Sequence, residues 1–167
     1  METVVAEAHS AADVEAAKRL FRAYAASLPF SLDFQGFAGE LAGLPRPYAP
    51  PGGCLLLAWR KQAPIGVVAI KPLVPGIAEL KRLYTVPEAR GLGLGRRLAE
   101  CAIGAARARA YRAVRLDTHR PSMAAAIALY RSLGFREISP YGPNPSGEFA
   151  FFEKRLDGQV GSGTCGC

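Results

Sequence analysis

Leu83-Tyr84-Thr85-Val86-Pro87-Glu88-Ala89-Arg90-Gly91-Leu92-Gly93-Leu94-Gly95-Arg96 runs from the end of an apolar segment, past a proline, into three alternating glycines. An alanine- and arginine-rich stretch follows. A strand, a glycine turn and a helix in that order leave unpaired backbone N–H groups at the positive end of the helix dipole, a geometry that binds phosphate or pyrophosphate. Glycine lets a ligand come close to the backbone and tolerates positive φ. Arg90 and Arg96 add charge on either side. Taken alone, such glycines also serve merely to turn the chain.

Two other phosphate loops can be tested on the letters. A P-loop needs Gly-Lys followed by Ser or Thr, whereas Gly95 is followed by Arg96 and Arg97. A dinucleotide fingerprint, G-x-G-x-x-G, fails in both registers, because Arg96 or Leu98 stands where its third glycine is required. The preceding Glu79-Leu80-Lys81-Arg82-Leu83-Tyr84 is also too charged for a strand buried on both faces of a parallel sheet.

Outward from the turn, the alternation of apolar and polar residues predicts an α/β chain. Thr3–Ala8 reads as a strand, followed by a helix over Ala11–Ser27 with Ser10 as its cap. A short helix over Asp33–Ala42 precedes the proline-rich loop Leu44–Gly53. Cys54–Arg60, Ile65–Leu73 and Ile77–Val86 read as antiparallel strands joined by short turns. A helix over Leu94–Ala110, a strand over Val114–Thr118 and a helix over Ser122–Leu133 come next, with Gly134 closing the last helix. Ile138–Pro140 and Glu148–Leu156 complete a mixed sheet.

The 167 residues fit one domain, expected over 1–157, with the glycine-rich segment 158–167 as a disordered tail. The longest apolar run, Cys54–Trp59, is far short of the roughly 20 residues that cross a bilayer. Met1–Ser10 carries two glutamates and no cationic-then-apolar order, so no secretory leader is expected and the cytoplasm is the expected compartment. Cys54 and Cys101 read as small core residues, and Cys165 and Cys167 lack the further ligands zinc requires. No metal site is therefore expected. Residues 79–136 hold 12 Lys/Arg against 4 Asp/Glu, so all the excess of the net charge of +7 falls in that segment. An anionic ligand is expected there, either a phosphorylated cofactor or nucleic acid, although the segment carries no nucleic-acid-binding motif.

The run Leu83–Gly95 resembles the acetyl-CoA motif of the GNAT family of N-acetyltransferases, whose signature [Gln/Arg]-x-x-Gly-x-[Gly/Ala] is matched by Arg90, Gly93 and Gly95. A second family motif is matched by Leu129-Tyr130-Arg131-Ser132-Leu133-Gly134-Phe135. The resemblance covers about residues 4–156. It implies a single-domain fold around a mixed, mostly antiparallel sheet that splays open at a CoA cleft. It also implies that backbone groups of Leu83, Tyr84, Thr85 and Val86 pair with the pantetheine chain, and that Arg90, Gly91, Leu92, Gly93, Leu94, Gly95 and Arg96 cradle the pyrophosphate. Acetyl-CoA is then the acyl donor, a primary amine on a small molecule or peptide is the acceptor, and homodimers are common in such proteins. The alternative is a non-catalytic CoA-binding or regulatory module.

Transfer to an amine needs a neutral amine, a polarised carbonyl and a protonated leaving thiolate. The resemblance puts Tyr130 near the CoA sulfur as the acid; otherwise it is a core aromatic between Leu129 and Leu133. Glu79, on the strand leading to the glycine turn, is a candidate base acting through water, or else a solvated residue balanced by Lys81. His119, expected on an exposed loop, is the alternative base. Many family members have Asn where this chain has Met123, which leaves Ser122 as a substitute contact. Acceptor recognition is expected from residues 31–37 and 44–51, with Phe34, Gln35 and Tyr48 lining the wall and Tyr141 approaching from the far side.

Overall fold

The computed structural model describes residues 2–157; the expected tail, 158–167, lies outside the described residues. Strands β1 (Val4–Glu7), β2 (Cys54–Arg60), β3 (Ala63–Val74), β4 (Ile77–Thr85), β5 (Ala113–His119), β6 (Arg136–Ile138) and β7 (Phe149–Arg155) form one seven-stranded sheet. Their order is β1-β2-β3-β4-β5-β7-β6, and only β4 and β5 run parallel. Helices α1 (Ala11–Ser27) and α2 (Phe37–Gly43) precede β2, while α3 (Leu94–Ala108) and α4 (Ala124–Ser132) flank β5.

Period-two burial explains the layers. Cys54, Leu56 and Ala58 of β2 and Val68 and Ile70 of β3 pack on α3, with Leu98, Ala102 and Ala106. The intervening Leu55 and Leu57, with Val67 and Ala69, pack on Ala16, Ala17, Leu20 and Phe21 of α1. Both faces of the sheet are thus covered, which a 12-residue apolar strand such as β3 requires. Lys61 and Gln62 both have positive φ and make the two-residue turn of the β2–β3 hairpin.

Four expectations need correction. The helix expected over Asp33–Ala42 is a single 3-10 turn, Asp33–Gln35, and then α2, because Gly36 in the left-handed region (φ 68) breaks the run. The β6 strand lies at Arg136–Ile138 rather than Ile138–Pro140, since Pro140 supplies no N–H for a ladder. The helix expected over Ser122–Leu133 is Ala124–Ser132, with Met123 at the cap position and no side-chain hydrogen bond there. Finally, β4 is central and its charged residues are buried all the same, because each has an oppositely charged partner.

The β4–β5 pairing is short. It joins Ile77 to Ala113, Ala78 to Val114 and Glu79 to Arg115, and no pairing follows. Beyond Glu79 the two strands part, so the edge of β4 from Leu80 onward has no strand partner on that side. On the β3 side a bulge opposes Arg82 and Leu83 to the single residue Val68, with Arg82 at φ 62.

Candidate active site

The parting of β4 and β5 opens a cavity of about 540 Å³. Its walls come from Leu80–Thr85 of β4, from Asp117, Thr118 and His119 of β5, and from Met123, Ala126, Leu129 and Tyr130 of the α4 segment. Tyr24, Ser27 and Leu28 of α1 and Phe30, Leu32 and Gln35 beyond it close the remaining side. Arg90 and Gly95 also line it.

The glycine turn has the expected form. Gly91 and Gly93 have φ of 80° and 75°, and a Cβ at either position would meet nothing within 4 Å. Gly93 is the N-cap of α3 and offers no side chain to the helix. The backbone N–H groups of residues 91–96 make no hydrogen bond to any described residue, and the first amide engaged is that of Arg97, on Gly93 O. Six donors without a partner among the described residues thus gather at the N-terminal end of α3. Arg90 leans over the Tyr84 ring (5.8 Å) and donates to Thr85 O, while Arg96 bonds Glu100 and Ser132. Both guanidinium groups thus remain beside the turn.

Tyr130 is in the last turns of α4, packed edge-on against Phe135 and only 6% exposed. Gly134, at φ 94, ends that helix and turns the chain so that Phe135 returns under Tyr130, with Phe135 N donating to Tyr130 O. Tyr130 lines the cavity, and its hydroxyl makes no hydrogen bond to any described residue. Burial, reinforced by Tyr24 and Asp117, pushes its pKa well above the ordinary phenol value, so it holds its proton.

Glu79 is buried at the closed end of the cleft and is absent from the cavity wall. Its carboxylate accepts from the Tyr141 hydroxyl (2.7 Å) and is faced by Lys71 (3.7 Å) and Lys81 (3.9 Å). Burial and then Glu79 itself raise the Tyr141 phenol far above its usual value. Lys81 reaches Asp117 (3.4 Å), and Gln35 donates to the other Asp117 oxygen while accepting from Arg82 and Lys81. The floor of the cavity is therefore a continuous network of compensated charge. Gln35 is its hub, and its two-sided role has no pattern in the sequence that could reveal it.

His119 is the last residue of β5, 6% exposed, and lies on no open loop. Its Nδ1 is 2.7 Å from Ser122 Oγ and its Nε2 is 3.0 Å from Glu148 Oε2. Of the residues expected at the acceptor wall, Gln35 lines the cavity, while Phe34 lines a second, smaller pocket beyond His119. Tyr48 is fully buried against Phe21 on the α1 side and lines neither. Among the described residues no group of three or more His, Cys, Asp and Glu could hold a metal ion, and no helix is long and apolar enough to cross a membrane.

The model of the acetyltransferase (GNAT) family matches residues 13–135. A Schizosaccharomyces pombe protein named as an N-acetyltransferase is 38% identical over 135 residues, which are 80% of this chain and 82% of that one. An Azospirillum brasilense protein named IAA acetyltransferase is 39% identical over 65% of this chain and 71% of its own. Among solved structures, an acyl-CoA N-acyltransferase from Klebsiella pneumoniae superposes with a TM-score of 0.70 at 28% identity, over 92% of this chain and 97% of that one. A Salmonella typhimurium acetyltransferase solved with acetyl-CoA shares the fold, with a TM-score of 0.69 at 19% identity over 98% and 99% of the two chains. With the splayed sheet and the glycine turn at the head of α3, these matches identify the chain as a member of the GNAT family of acetyltransferases.

Proposed function

We propose that the chain transfers an acetyl group from acetyl-CoA to a primary amine, with Tyr130 as the acid that protonates the departing thiolate. One observation carries this reading: the amides of residues 91–96 make no hydrogen bond to any described residue, and Gly95 of that turn lines the same cavity as Tyr130. The residues fit the donor. Gly91, Leu92, Gly93, Leu94, Gly95 and Arg96, with Arg90, would hold the pyrophosphate, and the free edge of β4 over Leu83, Tyr84, Thr85 and Val86 would pair with the amides of the pantetheine arm as an added strand. Bound acetyl-CoA supplies the thioester that the amine attacks.

Tyr130 keeps its proton because burial disfavours the phenolate, and a buried phenol with no other partner donates to a nearby developing anion. Glu79 acts from behind the wall, fixing Lys81 and Tyr141 rather than meeting the amine. The basic excess of residues 79–136 supports an internal role over a nucleic-acid surface, since Arg82, Arg109, Arg115, Arg120 and Arg131 are each ion-paired within the chain. The cytoplasm, where acetyl-CoA is available, is the compartment this reading implies.

Isothermal titration with acetyl-CoA tests the donor. Micromolar binding is expected, and no heat at high micromolar cofactor overturns the proposal. Binding without CoA release to any primary amine would favour the non-catalytic module instead.

A further inference from the structure

Ser122, His119 and Glu148 form a hydrogen-bonded line from the cavity to the surface. Ser122 and His119 line the main cavity. His119 and Glu148 line a second pocket of about 270 Å³ on the other side, and Phe30 and Phe149 border both spaces. The imidazole is the partition between them, with ring centroids 4.5 Å from Phe30 and 5.3 Å from Phe149. The Glu148 side chain beyond it is 52% exposed. Backbone bonds hold the line in place: Arg120 N donates to Glu148 O (2.9 Å) and Met123 N to His119 O (3.0 Å). Glu148 thus meets β5 across 29 residues of sequence.

We propose that Ser122, His119 and Glu148 are the proton exit of the transfer reaction, Ser122 being the group that touches the amine. This rests on the transferase reading above. A carboxylate on Nε2 keeps that nitrogen protonated, so the Nδ1 lone pair accepts from the Ser122 hydroxyl. As the nitrogen of the acceptor bonds the acyl carbon and the C–S bond breaks, Ser122 Oγ takes the proton from nitrogen while its own proton passes to Nδ1. The resulting imidazolium is paired with Glu148, and the Nε2 proton leaves to water at the exposed carboxylate. After product release Nε2 takes a proton back from water while the Nδ1 proton leaves through the Ser122 hydroxyl to solvent, which restores the Nε2–H tautomer. The thiolate receives the Tyr130 proton, which returns from solvent before the next turnover. Acid and base then act at separate groups, Tyr130 and Ser122, that line the same cavity. Phe30 and Phe149 flank the buried imidazole, so these hydrogen bonds give a proton a path across the partition. Glu79 offers no such path, because its carboxylate is engaged by Tyr141 away from the cavity wall.

Two measurements test this. The chain has two histidines, His9 and His119, so long-range 1H–15N spectra resolve the His119 ring. The Nε2–H tautomer is expected with and without acetyl-CoA, and the Nδ1–H tautomer overturns the exit. CoA release is then followed with ethanolamine, 2-phenylethylamine and a lysine dipeptide as probes. Ser122→Ala is expected to lower kcat roughly 100-fold with an unchanged KM for acetyl-CoA, and Ser122→Thr to restore most of it. Glu148→Gln lowers kcat with the same unchanged KM. Undiminished turnover in Ser122→Ala, or an acetyl group found on Ser122 by mass spectrometry, overturns the exit and leaves the transferase reading standing. Acetyl-CoA binding with no release to any probe overturns the transferase reading itself, and the exit with it.

Discussion

Arg82 grips Glu40 with two prongs, its Nε and Nη2 each 2.9 Å from a carboxylate oxygen. The pair ties the β4 bulge to α2, and both side chains are buried at 3% and 10% exposure. Burial alone would pull the guanidinium down, but the hydrogen bonds and charge of Glu40 outweigh it and hold Arg82 charged. Glu40→Ala therefore strands a buried cation. The expected cost is about 3–5 kcal/mol, read as a shift in the urea midpoint. Arg82→Lys loses the fork and is expected to fall between the wild type and Glu40→Ala. A Glu40→Ala midpoint equal to wild type would show that the pair contributes nothing.

The glycine turn separates backbone strain from ligand approach. Gly93 has positive φ with open space around it, so Gly93→Ala is expected to cost about 1 kcal/mol through the backbone alone. Gly95 has no such φ, and a Cβ there meets only Leu129 Cδ2 at 3.9 Å, an ordinary contact. Gly95→Ala should leave thermal unfolding unchanged yet weaken acetyl-CoA binding in titration, because Gly95 lines the cavity and the methyl group would occupy the space the cofactor needs. Equal affinity for Gly95→Ala and wild type would move the pyrophosphate away from this turn.

Tyr130→Phe removes one oxygen from a buried ring and keeps the packing on Phe135. The expected result is a kcat lowered about 10²–10⁴-fold with little change in acetyl-CoA affinity. The pH dependence has a definite sign. Because the folded-state pKa is raised, the acid form persists through the neutral range and past the ordinary phenol value of about 10. A basic limb of kcat centred near 10 that disappears in Tyr130→Phe would contradict the burial argument.

Local geometry that is continuous in sequence was legible: a glycine turn that leads into a helix, and the Gly134 stop that returns Phe135 to Tyr130. Local pattern also located β2 to the residue, since Cys54–Arg60 is bounded by glycine on one side and a Lys-Gln turn on the other. What failed to show was pairing across the chain. Charges on β4 argued against a buried strand because Glu40 and Asp117, 42 and 36 residues away from their partners, carry no local mark of being those partners. His119 was expected on an open loop for the same reason. Its burial comes from Phe30 and Phe149, brought to it by α1 and β7. Gln35 is the extreme case, a single neutral side chain joining Arg82, Lys81 and Asp117.

Helix α1 presents Tyr24, Ser27 and Leu28 to the cavity, so the stability of its first turn bears on the site. Ser10 Oγ accepts from Asp13 N (3.0 Å), and the Asp13 carboxylate accepts from the backbone N–H groups of His9 (2.9 Å) and Ser10 (3.0 Å). Those two amides, His9 first, hold the Asp13 carboxyl below its usual range. Its folded-state pKa is thus lower than its unfolded one. The stabilisation is complete above the unfolded value and is lost as pH falls through the folded value. Ser10→Ala is expected to cost about 1 kcal/mol near neutrality. Asp13→Asn is expected to destabilise at neutral pH and to converge on wild type as the buffer is acidified below the ordinary carboxylate range. Thermal unfolding measured across that range checks the sign, and a gap between the two proteins that widens on acidification would reverse the assignment.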